Sequence, residues 1–501
     1  VADPKKQPAP ASQTSVQTAG AQVEGPSLAD VITATPNAEP DRAKGFLDSL
    51  VKTAGSKGVV IDRTVKRTLL KLVTMIDAEL SEQLGEIMHA PEFQKLEGTW
   101  RGFHHLVHNS ETGPDLTIRV LNIRKRELQK DLEDANDFDQ SALYRKIYEG
   151  EFGTPGGLPF GALIGDFDFS QSSDDVSLLR KISSVAAAAF CPFIANASPK
   201  LFGGDADFEK PLSKIPDLKT WFAGQDFIKW REFRKTPDAR FVSLVMPRVM
   251  AREPYDPENN AIEEFEFREV PSGRAVPHKD YCWMNAAWHY GTVLTRAFAE
   301  SGWCTTIRGA ESGGKIDNLP VHLVSDEDGD QNIKCPTEVP ITDRREKELS
   351  DCGFLPISHY KESGTAVFFG GQTVQQPTKY DTDDATSNAA ISARLPYIMA
   401  VSRVAHFLKV MARDWTGSAY GKQKLQERMQ RWIAKYVLDD PDGTPEMKAK
   451  HPLAEATVTV EEVPGSPGSY NAVAHLRPWL QLEELTTSMR LVAKLPQPTG
   501  K

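Results

Sequence analysis

The stretch Gly161–Ala197, GALIGDFDFSQSSDDVSLLRKISSVAAAAFCPFIANA, decides the fold. Gly161–Phe169 reads as a buried strand. Val176–Phe190 carries apolar residues at helical spacing, with an Ala-rich face suited to close packing, and Cys191–Ala197 is apolar and strand-length again. Strand, helix and strand in succession predict a βαβ unit. The rhythm continues outward: Thr220–Arg234 reads as an aromatic helix, Phe241–Met250 as a strand and Trp283–Glu300 as a helix. The expected class is α/β, with mixed sheets and flanking helices, over residues 111–300. Leu116–Ile123, LTIRVLNI, alternates and reads as one more strand with a wet face.

Residues 1–45 are rich in Ala, Pro, Gln, Ser and Thr and poor in large apolar side chains, so a disordered N-terminal arm is expected. Residues 46–64 read as a linker in which Val59, Val60 and Ile61 form a short strand with no hairpin partner nearby. A helical region spans 65–110. Val65, Leu69, Leu72, Val73, Ile76, Leu80, Leu84 and Ile87 make one apolar stripe, and Phe93, Leu96, Trp100, Phe103 and Val107 make another. Residues 301–394 hold short β-segments among Gly, Pro and acidic loops and read as an inserted, mainly β region. In 395–501, two helices precede a hairpin, Thr457–Val463 and Tyr470–Leu476 around PGSPGS, and a final strand at Ser488–Leu495.

The chain has 501 residues, 40% of them hydrophobic, and a net charge of −10. It holds enough apolar mass for a large core and no dense Lys/Arg run of the kind nucleic-acid binders carry. Five cysteines without a C-x-x-C pair predict reduced thiols rather than a disulfide framework. No run of about eighteen apolar residues predicts a membrane span, and VADPKKQPAPASQTSV has no apolar core of a secretory signal. A cytoplasmic protein without membrane insertion is expected.

The candidate chemistry is thin. Gly309–Lys315, GAESGGK, meets G-x-x-x-x-G-K but lacks the following Ser/Thr, and IDNLPVHLV after it reads as β rather than helix. A Gly-rich turn is the expectation, with a nucleotide-binding enzyme as the alternative. His104 and His108 are four apart on a helix without the further ligands a metal needs. Asp166 and Asp168 lie on one side of a strand, close to Asp174 and Asp175, and are expected to cap a turn or helix. Asp326, Asp328 and Asp330 have calcium-loop spacing without its glycine or glutamate in place. No catalytic, cofactor or metal residue is assigned.

Several long phrases resemble the large subunit of type VI secretion contractile sheaths (the TssC/VipB family). They include LEGTWRGFHHLV at Leu96–Val107, ALYRKIYEGEFGTPGGLPFGALIGDFDF at Ala142–Phe169 and WREFRKTPDARFVSLVMPRVMAREPY at Trp230–Tyr255. CWMNAAWHYGTVLTRAFAESGWCTTIRG at Cys282–Gly309 and LRPWLQLEELTTSMRLVAKLP at Leu476–Pro496 continue the same collinear match. The resemblance implies a fold related to contractile phage-tail sheath proteins and a structural rather than enzymatic role. It further implies a small sheath subunit (TssB/VipA) as obligate partner, hexameric rings stacked in a helical tube around an Hcp inner tube, contact with baseplate components, and recycling by the ClpV ATPase. A non-polymerising scaffold is the other alternative.

Within that frame, Val59, Val60 and Ile61 of one subunit are expected to add to a sheet edge of another, pairing with the tail strands marked by Val458, Val460, Val473, Leu491 and Val492. Roughly five ladder bonds at ~1 kcal/mol each would give about 5 kcal/mol gross per link. Lys424, Arg428, Arg431 and Lys435 on the charged C-terminal helix are candidates for contact with the inner tube or a neighbouring ring. The helices at 65–110 are the candidate small-subunit interface.

Overall fold

In a computed structural model of the chain, residues 45, 65–258, 265–270, 276–325, 331–465, 468–479 and 481 are described. The arm, the Val59–Ile61 segment, the Asp326–Asp330 loop and the final strand with Leu491 and Val492 lie outside the described residues. The chain divides into two units, residues 1–86 with 255–271, and residues 87–254 with 272–501.

In the smaller unit, helix α1 (Val65–Met88) contributes nearly all its length. The Tyr255–Arg268 segment closes on itself: the Tyr255 N–H donates to the Glu269 carboxylate, and Arg268 pairs with Asp256 at 2.6 Å. The Arg268 N–H donates to Ser81 Oγ of α1.

The larger unit opens with α2 (Pro91–His108), whose proline sits at the first turn where no N–H is needed. Its centre is a parallel sheet of four strands in the order β1 (Leu163–Phe169), β2 (Phe193–Ala197), β3 (Val242–Met246) and β4 (Phe354–Pro356). Alternation divides each strand between two apolar layers. Phe193, Ala195, Val242, Leu244 and Phe354 join one cluster with Val176, Leu179 and Ile182 of α3 (Ser173–Ala189). Ile194, Val245 and Leu355 join the other with Ala287, Tyr290 and Val293 of α4 (Ala286–Ser301). A parallel sheet buried on both faces reads as continuous hydrophobic runs, which is why its central strands look mainly apolar.

Three differences from the sequence reading have physical causes. The 241–250 run splits, because Pro247 cannot donate to a ladder: Val249–Met250 leaves the main sheet and pairs with Trp283–Met284. The 220–234 helix is broken near Gly224 into Leu218–Phe222 and Ile228–Arg234, with a 3-10 turn between them. Leu116–Ile123 is not a strand. It pairs with no described strand, and Val120 is 69% exposed; alternation marks a wet face, but a strand needs a partner. The 301–394 stretch carries its own three-stranded antiparallel sheet (Ser358–His359, Ala366–Val367, Lys315–Ile316), yet it also supplies β4 to the main sheet.

The C-terminal part contains α5 (Leu395–Asp414), α6 (Lys422–Ile433) and the hairpin β5 (Leu453–Glu462) and β6 (Tyr470–Pro478). Val404, Met429, Ile433, Leu453, Val458 and Val460 form its core with Trp303.

Candidate assembly interface

The hairpin pairs antiparallel from Leu453–Pro478 to Glu462–Tyr470, with Val458 opposite Ala474 and Val460 opposite Ala472. The side chains of Val458 and Val460 are buried against Met429 and Ile433 of α6, while Val473, opposite Thr459, faces outward. Of the candidate pairing residues, these three therefore share one sheet, and Val59, Val60, Ile61, Leu491 and Val492 lie outside the described residues.

The two edges of the hairpin differ. The outer edge of β5 is occupied by side chains of α6. The Val458 N–H donates to Gln430 Oε1 at 2.8 Å, Gln430 Nε2 donates to the Ala456 carbonyl at 2.9 Å, and the Val460 N–H donates to Gln426 Oε1 at 3.2 Å. Since the backbone groups of Val458 and Val460 point away from β6, those of the residues opposite them, Ala472 and Ala474, and likewise Leu476, point away from β5. Among the described residues nothing pairs with that edge of β6.

The opposite face of α6 is basic. Arg428 lies over the rings of Trp415 and Tyr420, at 5.3 and 4.5 Å from their centroids, and Lys424 lies over Tyr420 at 4.9 Å. Arg431 is exposed, and so is Lys435 in the 3-10 turn Ala434–Tyr436 that follows α6. The helix thus turns glutamines and apolar residues inward and its cations outward, as its period requires.

A second surface lies on α2, on the helices offered above as the candidate small-subunit interface. Phe93, Leu96 and Trp100 are exposed, Trp100 to 63%. The face that α2 buries is lined instead by glycine: a Cβ on Gly98 would lie 2.4 Å from the Trp283 carbonyl oxygen, and one on Gly102 would lie 2.2 Å from the Trp288 ring. Polar contacts pin the same seam. Ser110 and Thr295 hydroxyls are 2.7 Å apart, and His105 Nε2 is 3.0 Å from His289 Nδ1. The glycine pair four residues apart was the signal for which face is inside. On α1, Leu70, Val73, Ile76 and Leu80 form an exposed apolar stripe of the same kind.

The remaining candidates are held by structural contacts. Gly309–Lys315 is a turn: Gly309 and Gly313 have positive φ, the Gly314 N–H donates to the Gly309 carbonyl, and Lys315–Ile316 is a short strand rather than a helix start. Lys315 pairs with Asp317 at 2.9 Å. Asp168 accepts from Asn196 at 2.8 Å, and Asp166 accepts from Thr99 while burial pushes its carboxyl above the ordinary range. Asp174 and Asp175 occupy the first turn of α3, whose N-cap is Ser172. His104 and His108 stack ring on ring. Among the described residues, no three His, Cys, Asp or Glu side chains are placed to hold a metal. All five cysteines are free thiols. Among the described residues no helix is long and apolar enough to cross a membrane.

Comparison with known proteins gives a consistent result. Residues 70–375 match the family model VipB, described as EvpB/VC_A0108, tail sheath N-terminal domain. Residues 384–495 match VipB_2, described as EvpB/VC_A0108, tail sheath gpW/gp25-like domain. The type VI secretion system sheath protein TssC1 of Pseudomonas aeruginosa is 43% identical over 463 residues, covering 91% of this chain and 92% of that protein. Among solved structures, the helical sheath of the anti-feeding prophage in its contracted state matches at 11% identity and a TM-score of 0.29, over 64% of this chain and 67% of that one. A chain of the same particle's baseplate matches at 11% identity and a TM-score of 0.31, over 64% of this chain and 66% of that one. With both family models placed end to end along the chain and a relative this similar over nearly its whole length, the chain belongs to the VipB tail sheath family.

Proposed function

We propose that this chain is the large structural subunit of a contractile type VI secretion sheath in the bacterial cytoplasm, and that its work is mechanical. It pairs with a small sheath subunit (TssB/VipA), and the pairs assemble as hexameric rings in a helical tube around an Hcp inner tube. The tube starts at baseplate components, contracts to drive the inner tube outward, and is recycled by ClpV. The observation that carries this reading is the coexistence of two kinds of unfinished surface. Apolar stripes on α1 and α2 are left open to solvent, and among the described residues an edge of β6 is left without a ladder. Exposed apolar stripes this long mark protein–protein contact, and an open, alternating edge accepts a strand.

On this reading the stripes take the small subunit, and strand exchange links neighbours: Val59–Ile61 of one copy and the small subunit's terminal strand complete a shared sheet with residues 457–495 of others. Head-to-tail links that do not close produce a helical filament. The outward cations Lys424, Arg428, Arg431 and Lys435 meet the inner tube or the next ring. Co-expression with the small subunit, followed by negative-stain microscopy, is the test. Tubes are expected, and discrete particles alone would refute polymerisation. Leu96→Asp with Trp100→Asp should abolish co-purification of the small subunit; undiminished recovery would remove α2 from that interface.

A further inference from the structure

The two long edges of the β5–β6 hairpin present the same backbone chemistry, yet among the described residues only one is left open. Gln430 is the reason on β5. A primary amide carries a donor and an acceptor side by side, as a peptide group does. Gln430 uses both, giving Nε2–H to the Ala456 carbonyl and taking the Val458 N–H on Oε1. These are the two bonds that one residue of a parallel neighbour would make opposite Thr457. Gln426, one helical turn earlier, takes the Val460 N–H. Met429 and Ile433, buried among Val458 and Val460, fix α6 at the height where its glutamines reach the edge.

We propose that Gln426 and Gln430 determine the specificity of strand addition: they stand in for a strand on β5, so that an incoming strand from a second copy of this chain pairs with β6 alone. The inference rests on the strand-exchange reading above. The open edge fits one occupant. The backbones of Ala472, Ala474 and Leu476 face it, while the Ala474 and Leu476 side chains lie against the C-terminal core. A strand laid there must continue that apolar underside, and the terminal run Ser488–Leu495, with Met489, Leu491, Ala493 and Leu495 at alternate positions, has that pattern. Two equivalent edges would let every subunit accept two strands and join tubes sideways. One edge keeps each link single and gives the lattice a direction. Covering an edge with a helix is a general defence against edge-to-edge aggregation; here the defence is applied to one side only.

The test compares two variants of the full chain co-expressed with the small subunit. Ala474→Pro removes an N–H that faces the open edge and none that pairs with β5, so heterodimers should persist and tubes should be lost. Gln426→Ala/Gln430→Ala uncovers β5, so tubes should form but associate laterally, with a several-fold rise in material sedimenting at low speed and with bundles by negative stain. If Ala474→Pro blocks tubes while the double variant gives single tubes like the parent, the guard role is overturned and strand exchange stands. If Ala474→Pro assembles normally, β6 is not the acceptor and both readings fall. Should the double alanine variant not fold, Gln430→Ala alone decides: it frees the Val458 N–H and the Ala456 carbonyl, so bundles are expected, and single tubes like the parent's would overturn the proposal.

Discussion

Gly98→Ala puts one methyl group where the helix seam has no room for it. The added Cβ would lie 2.4 Å from the carbonyl oxygen of Trp283, with Met284 Cα at 3.5 Å behind it. An ordinary carbon–oxygen contact begins at about 3.3 Å, so α2 and the Trp283 backbone must separate by roughly 1 Å. The obstacle is main chain, tied by Val249–Met250 to a strand pair and by Asn285 to the N-cap of α4, so no rotamer change relieves it. Overpacking of this kind costs about 1–3 kcal/mol, and the backbone obstacle places it at the upper end. Alanine returns roughly 0.5–1 kcal/mol by restricting the unfolded chain inside a helix. The net expectation is a loss of about 2 kcal/mol. Urea unfolding followed by tryptophan fluorescence reads it directly, with Gly161→Ala, where a Cβ meets nothing within 4 Å, as the control. Because α2 also displays Leu96 and Trp100, the shift should weaken small-subunit recovery in the same variant. An unfolding midpoint at or above that of the parent chain would refute the claim that the glycine face sets the position of α2.

Glu338, with a fully buried side chain, accepts from Arg248 at 2.6 and 2.8 Å and from the Phe208 N–H at 3.1 Å. Burial alone would raise its carboxyl, but the Arg248 charge overcomes this and holds it below the ordinary range. Glu338→Ala strands the guanidinium and should cost about 3–5 kcal/mol of unfolding free energy, with a loss under about 1 kcal/mol contradicting the pairing. Burial also holds His289 well below the ordinary imidazole range and lowers His105, His359 and His406. The unfolded chain then binds more protons than the folded one, so this stability is complete above about pH 6.5 and is lost as pH falls below it. The urea midpoint should drop between about pH 7.5 and about pH 5.5, and His289→Gln should make the drop shallower; an equal slope would exclude His289. Lys315→Ala removes only an exposed pair with Asp317 and should leave tube assembly unchanged, whereas loss of assembly would revive a nucleotide role for the Gly309 turn.

Much of the fold is legible in the residues because local chemistry suffices for it. The strands at 193–197 and 242–246 announce themselves as mainly apolar runs, since a sheet covered on both faces leaves few polar positions in its central strands. The capping expected of Asp166 and Asp168 is not what the structure shows: they accept from Thr99 and Asn196, and Ser172 is the N-cap of α3. The family resemblance was equally available, carried by long phrases rather than by any single reactive group.

The candidate site was less legible. Phe93, Leu96 and Trp100 have the spacing of a core stripe, and spacing alone cannot say whether the layer that covers it belongs to the same chain. The strand expected at 116–123 failed for the same reason: alternation is a property of one segment, while pairing is a property of two.

The sequence by itself determined most of the helical and extended segments, which faces are apolar, and which family the chain belongs to, because these depend on side-chain order along one backbone. Tertiary structure alone decided that α2 buries its glycines and shows its aromatics, that β4 completes the main sheet from a distant segment, and that the glutamines of α6 close one edge of the hairpin. Each of those outcomes depends on two segments meeting at a fixed distance, and a hydrogen bond or a methyl-sized gap is settled by that distance rather than by either segment's composition.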